Sequence, residues 1–214
     1  MILRLLFPPK CVLCHKLLAK HETDLCHSCR ETVKLIPKQK RKIHFVAQWT
    51  AMWYYKDDVK SSIHRFKFFR CRHYADIYGR LLAMRIQETF PEGFDVLSWA
   101  PISPARWYKR GYDQGKLLAK AVGKELGISP IRTLWKVRDT PPQSGFKDHS
   151  MRRANVLGAY QSFLPKRFAG KRILLLDDVI TSGSTISECA RILLTAGAKE
   201  VICAAVAAAT NEKK

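Results

Sequence analysis

Two adjacent carboxylates, Asp177 and Asp178, follow the aliphatic run Ile173 to Leu176, and a loop of small residues, Thr181, Ser182, Gly183, Ser184 and Thr185, follows them. Acids at the end of a buried strand can hold sugar hydroxyls, or a magnesium ion bound to them. Free N–H groups at a helix start, a permissive glycine and several hydroxyls make a cradle for an anion. Carboxylates repel phosphate, so the two features must address different parts of one ligand. A phosphorylated ribose has such parts. The loop lacks the lysine of G-x-x-x-x-G-K-[ST], which favours a single sugar phosphate over a nucleoside triphosphate. The plainer alternative is a capped helix after a strand with two exposed acids. Paired acids before a five-residue hydroxyl and glycine loop exceed what capping requires.

A second cluster lies near the start. Cys11 and Cys14 form CVLC, and Cys26 and Cys29 form CHSC. Two C-x2-C knuckles present four thiolates to one ion and point to a structural zinc. So short a segment buries too little apolar area to fold alone, and the metal would supply the folding energy. Disulfides or a redox pair are the alternatives, and a reducing compartment disfavours them. His15, His21 and His27 lie nearby, but four thiolates need no further ligand. Cys189 and Cys203 sit among apolar residues and read as core; Cys71 has no visible partner.

The elements that must position these residues follow from periodicity. Residues 1–42 read as the ribbon and a basic, proline-containing linker, and residues 43–214 as a second domain. Val46 to Tyr55 is aromatic and β-prone. Val59, Ile63 and Phe66 recur at helical spacing, and Tyr74, Ile77, Leu81 and Leu82 mark another helix ending before Pro91. Asp95 to Ala100 is a short strand. Asp113 to Leu126 is a helix stopped by Gly127. Lys136 to Asn155 has no period and reads as a long loop of functional kind. Lys171 to Asp177 is a strand, Ser184 to Ala196 a helix, and Val201 to Ala207 the next strand. Strand, helix and strand within about thirty residues make a βαβ unit, so the fold class is α/β with a parallel sheet flanked by helices.

The chain has 214 residues and a formal net charge of +20. Such a charge favours nucleic acid, another polyphosphate or an anionic membrane face as partner, though charge speaks to association and not to fold. Residues 1–75 hold 16 Lys/Arg against 5 Asp/Glu. HRFKFFRCRHY, His64 to Tyr74, mixes basic and aromatic residues, and Trp107 to Arg110 repeats the mixture. Aromatic faces stack bases while cations track phosphates, as single-strand binding requires. The candidates are Arg65, Lys67, Arg70, Arg72, Trp107 and Lys109; Phe66 reads as core. The apolar start MILRLLFPP is too short for a membrane span or a signal-peptide core. With neither, the expected location is the cytoplasm.

ILLLDDVITSGST resembles the phosphoribosyl pyrophosphate (PRPP) signature of type I phosphoribosyltransferases. With the ribbon before it, RGYDQG at Arg110 to Gly115, TPPQ at Thr140 to Gln143 and RRANVLGAY at Arg152 to Tyr160, the order is similar to the ComF family. The resemblance implies Asp177 and Asp178 on the ribose hydroxyls as the catalytic pair, Thr181 to Thr185 on the 5′-phosphate, and Mg2+ with the ligand. By the same analogy PISPAR, Pro101 to Arg106, is the pyrophosphate loop, with Arg106 or Arg110 on the pyrophosphate. Thr140, Gln143, Arg152 and Asn155 flank a loop that would close over the site. The family is linked to natural transformation, which implies imported single-stranded DNA and a competence helicase as partners. An active phosphoribosyltransferase with a nitrogenous acceptor is the alternative. Most members carry asparagine where Asp113 stands, and an ionised Asp113 cannot donate a hydrogen bond as that asparagine can.

Overall fold

The computed structural model describes residues 8–37, 41–140 and 154–209. A helical turn, α1 (His27–Thr32), closes the ribbon. Then follow β1 (Trp49–Tyr54), α2 (Asp57–Phe68), α3 (Tyr74–Thr89), β2 (Val96–Trp99), α4 (Pro104–Arg110), α5 (Gln114–Leu126), β3 (Leu134–Lys136), β4 (Tyr160–Ser162), β5 (Arg172–Ile180), α6 (Ser184–Thr195) and β6 (Glu200–Ala208).

The main sheet has the order β1-β6-β5-β2, and every pairing is parallel. β5 and β6 are central and covered on both faces, which explains why they read as nearly unbroken apolar runs. Alternate residues serve alternate cores. Leu174, Leu176, Ile202 and Ala204 face α2, α3 and α5. Ile173, Leu175, Val201 and Cys203 face Ile186, Ala190 and Leu193 of α6. Cys189 and Cys203 are buried there, as core residues should be.

The ribbon joins the first of these cores. Val12 and Leu13, between Cys11 and Cys14, are fully buried in one cluster with Ile63, Phe66 and Tyr78. The basic segment after it is also fastened: Leu35 bridges Trp53, and the Ile36 amide donates to the Met52 carbonyl at 2.8 Å.

Three differences from the sequence reading have local causes. The strand at the acidic pair runs on to Ile180, because Val179 and Ile180 pair with Ala207 and Ala208 of β6. Residues after PISP wind into α4: the Ser103 hydroxyl accepts from the Arg106 amide, Pro104 opens the first turn, and Gly111 ends it at φ 75°. The long loop is flanked by an antiparallel pair, β3 and β4, each three residues long and too short for a period to show. Residues 141–153, with Gln143 and Arg152, lie outside the described residues, as does the apolar start at residues 1–7. Among the described residues, no helix is long and apolar enough to cross a membrane.

Helices α3 and α5 approach closely because Gly79 has no side chain. A Cβ there would lie 2.4 Å from the Ala121 Cβ and 2.8 Å from its carbonyl carbon. Gly79→Ala should therefore cost about 1–3 kcal/mol of stability by overpacking. Chemical denaturation checks this, and an unchanged midpoint would contradict the helix contact.

Candidate functional site

The acidic pair sits near the C-terminal end of β5, where open parallel sheets bind ligands. Asp178 is 4% exposed. Its Oδ1 pairs with the Lys67 ammonium at 2.6 Å. Its Oδ2 is buried and has no hydrogen-bond partner among the described residues. Asp177 is partly open, and its Oδ1 accepts the Asp178 amide at 2.8 Å. Burial first, and the Asp178 charge second, push the Asp177 carboxyl well above the usual carboxylate range; Lys67 and Lys136 pull the other way.

Three cations from three elements surround the pair. Lys67 comes from the last turn of α2. Arg110, at the end of α4, feels the Asp178 charge, stacks over Phe68 at 4.8 Å and donates to Gln114 Oε1 at 2.8 Å. Lys136 of β3 is buried, and its Nζ donates to Thr140 Oγ1 at 3.0 Å. Burial, then the nearby Arg106, pulls Lys136 down to about 8, while Asp177 acts in the opposite sense. Arg106 is anchored through the Thr140 carbonyl and through Asp139 at 3.6 Å.

The hydroxyl and glycine loop leads directly into α6. Gly183 is left-handed at φ 81°, and a Cβ there would press on Ile43 at 3.2–3.3 Å. Small size and positive φ together require glycine. The Ser182 and Ser184 hydroxyls lie 2.8 Å apart. Arg41 holds the loop from beneath: its guanidinium donates to the Thr181 carbonyl at 2.9 Å and stacks over Trp49 at 4.9 Å. Asp113 has a structural use. Its Oδ1 accepts the Lys116 amide, capping α5, and its Oδ2 accepts the Trp99 indole N–H at 3.1 Å. Both bonds need acceptors, which a carboxylate supplies.

Cys11, Cys14, Cys26 and Cys29 place their sulfurs within 4.8 Å of one another, and Cys14 and Cys26 are 3.6 Å apart. Tetrahedral zinc with Zn–S near 2.3 Å sets sulfurs about 3.8 Å apart, so the quartet fits the ion. It is a structural zinc site. All seven cysteines are free of disulfides.

The residues singled out for nucleic acid divide into two groups. Arg65 is turned inward, donating to the Val12 and Leu13 carbonyls and to the Tyr74 hydroxyl. It ties α2 to the zinc knuckle, as does Ser62 through the Val12 carbonyl. Lys67 is engaged with Asp178. Both side chains are thus engaged within the protein. Arg70, Arg72, Trp107 and Lys109 are exposed. Arg72 donates to the Gly111 carbonyl at 3.1 Å, and Arg110 covers Phe68. These contacts bring the turn after α2 and the end of α4 onto one surface, with Phe69 and Tyr108 also exposed. Phe66 is fully buried, as core.

Sequence reasoning passed over Lys136 and Arg41. The first lay at the edge of a stretch without period. The second lay in a lysine-rich run that read as linker.

A parallel sheet with an acidic strand end, a phosphate-type loop and a four-cysteine ribbon defines a phosphoribosyltransferase-like protein with a zinc ribbon. Residues 115–214 match the Phosphoribosyl transferase domain and residues 2–41 the Double zinc ribbon domain. The chain is 27% identical to Competence protein F of Haemophilus influenzae, over 90% of this chain and 93% of that one. It is 30% identical to DNA utilization protein YhgH of Escherichia coli O157:H7, over 69% of this chain and 66% of the relative. It is 29% identical to Competence protein ComFC of Streptococcus pneumoniae, over 71% and 64%. The chain thus spans just under two thirds of the length of the latter two relatives. It belongs to the ComF family.

Removing Lys67 would leave a buried carboxylate unpaired. Lys67→Met should cost about 3–5 kcal/mol, and adding Asp178→Asn should recover part of that loss because the stranded charge is gone. A double-mutant cycle by denaturation reads this. Additive losses would mean that the pair does not couple.

Proposed function

We propose that this chain handles single-stranded DNA in a competence or DNA-utilisation role and keeps a PRPP-type site in the same fold. The observation that carries the phosphoribosyl half is the acidic pair beside a glycine-hinged hydroxyl loop, ringed by Lys67, Arg110 and Lys136. In this reading Asp177 and the orphaned Oδ2 of Asp178 take the ribose hydroxyls. Thr181, Ser182, Gly183, Ser184 and Thr185 hold the 5′-phosphate at the start of α6. Arg106, Arg110 and Lys136 face the pyrophosphate, since guanidinium forks match phosphate oxygens. Magnesium prefers hard oxygen donors and keeps most of its waters. Asp177 and Asp178 suit it, and the ion would offset charge on the pyrophosphate.

The DNA half draws support from the exposed surface that gathers Arg70, Arg72, Trp107 and Lys109, and from the net charge of +20. Names of relatives that refer to competence and DNA utilisation agree with it.

A second reading, an active Mg-dependent phosphoribosyltransferase, is favoured by one observation. A buried lysine, Lys136, lies near Asp177 with Arg106 beside the lysine, where a leaving pyrophosphate would need positive charge. A nitrogen nucleophile would attack C1′ of the ribose, and pyrophosphate would depart from the same carbon. The transition state would carry positive charge on the sugar, which the carboxylates at its hydroxyls favour. No covalent protein nucleophile is needed.

Calorimetric titration of PRPP with Mg2+ into the zinc-loaded protein tests the site. Saturable binding is expected, weakened at least about ten-fold by Asp177→Asn with Asp178→Asn, a loss of roughly 1.4 kcal/mol. Lys136 carries its charge below about pH 8 and loses it above. Asp177 titrates in the same range, so the step is read in an Asp177→Asn background: affinity there should fall as pH rises through 8, and adding Lys136→Met should weaken binding and remove that step. Undiminished binding by the double acidic variant would refute the ribose assignment.

A further inference from the structure

A pocket of about 440 Å³ opens between the PISP turn, α4, α5 and β3, and none of Asp177, Asp178 or the Thr181 to Thr185 loop lines it. Its volume falls in the range of small-molecule sites. Trp107 and Trp135 both line it, and they are 54% and 44% exposed. Two large aromatics half-open in one concavity are unusual for a side chain that is mostly buried on average. The Trp135 ring is braced at its edge by Phe163, 5.4 Å away, and the Arg132 guanidinium lies 3.8 Å above its centroid. That stack is held in place before any ligand arrives.

The charge around it, among the described residues, is mostly positive. Lys116 and Lys120 stand one turn apart on α5, so they share a face. Both are exposed, Arg132 is a third cation, and the buried Lys136, shared with the acidic-pair site, is a fourth. Among the described residues the pocket's one carboxylate, Asp113, has both oxygens engaged by Trp99 and the Lys116 amide. Ile102 and Leu117 supply apolar lining. A flat aromatic ligand bearing an anion meets each of these features. Bases stack on aromatic rings and on arginine planes alike.

We propose that this pocket is a nucleotide subsite: it stacks one nucleobase on Trp107 and the Arg132–Trp135 pair and seats the attached phosphate on Lys116 and Lys120. As the base-reading part of a single-strand path, it rests on the DNA reading above. A free nucleotide has the same chemistry, and the test separates the two sources.

Fluorescence anisotropy with the full zinc-loaded protein would compare labelled oligo(dT), an abasic oligomer of equal length, and displacement by dTMP. Oligo(dT) should bind about ten-fold tighter than the abasic strand, the size expected for one stacked base. Trp107→Ala should remove most of that preference and leave the salt dependence unchanged. Lys116→Ala with Lys120→Ala should flatten the log K against log salt slope by about 0.7 per lost contact. Should Trp107→Ala fold poorly, Arg132→Gln serves for the same preference. Equal affinity for dT and abasic strands would overturn the pocket and leave DNA binding in place. Binding of dTMP, but of no oligomer, with the same Trp107 dependence would keep the pocket for free nucleotides and end the DNA reading. Binding of neither would end both.

Discussion

Asp178 lies almost wholly out of water, and a buried carboxylate is stable only with a charge beside it. Lys67 supplies that charge at 2.6 Å, and much of the structure is arranged to deliver it. Lys67 rides on the last turn of α2. That helix is held by Ser62 and Arg65 to the carbonyls of Val12 and Leu13, inside the first zinc knuckle. Tyr112, just after α4, reaches the carbonyl of Phe66 in the same helix turn. The zinc quartet, α2 and the acidic strand end are therefore joined by one short path of buried contacts. A metal that folds the ribbon also sets the helix that neutralises Asp178.

The positive charge of the chain serves two purposes in two places. Lys67, Arg110, Lys136 and Arg41 point inward, toward the acidic pair or the hydroxyl loop. Their charges cost desolvation, visible in the lowered Lys136, Arg110 and Arg41. In the proposed phosphoribosyl reading, an incoming polyanion would relieve that cost. Arg70, Arg72, Lys109, Lys116 and Lys120 point outward, where charge is cheap to solvate and can meet a long anion. Arg72 and Arg110 lie near the boundary and pack on Tyr112 and Phe68.

Elements with a clear period were legible in the sequence. The helix carrying Val59, Ile63 and Phe66, the helix stopped by Gly127 and the βαβ unit around Asp177 stand where the spacing put them. The acidic pair, the loop and the four cysteines were legible because rare residue types sat at fixed distances. Side-chain direction was not. Arg65 and Lys67 lie beside exposed aromatics in the chain, yet helix geometry turns both inward, and sequence alone does not say which cation finds a buried partner. Lys136 was hidden for a related reason: a three-residue strand is too short to show alternation. Helix α4 did carry a signal, Ser103 before Pro104, which is a capping residue followed by proline at the first helical position.

The most direct measurement is a crystal structure of the zinc-loaded protein with PRPP and Mg2+. The ribose hydroxyls should lie on Asp177 and Asp178, the 5′-phosphate on the Thr181 to Thr185 loop, and the pyrophosphate toward Arg106 and Arg110. PRPP bound elsewhere, with the acidic pair touching no part of the ligand, would contradict the phosphoribosyl site.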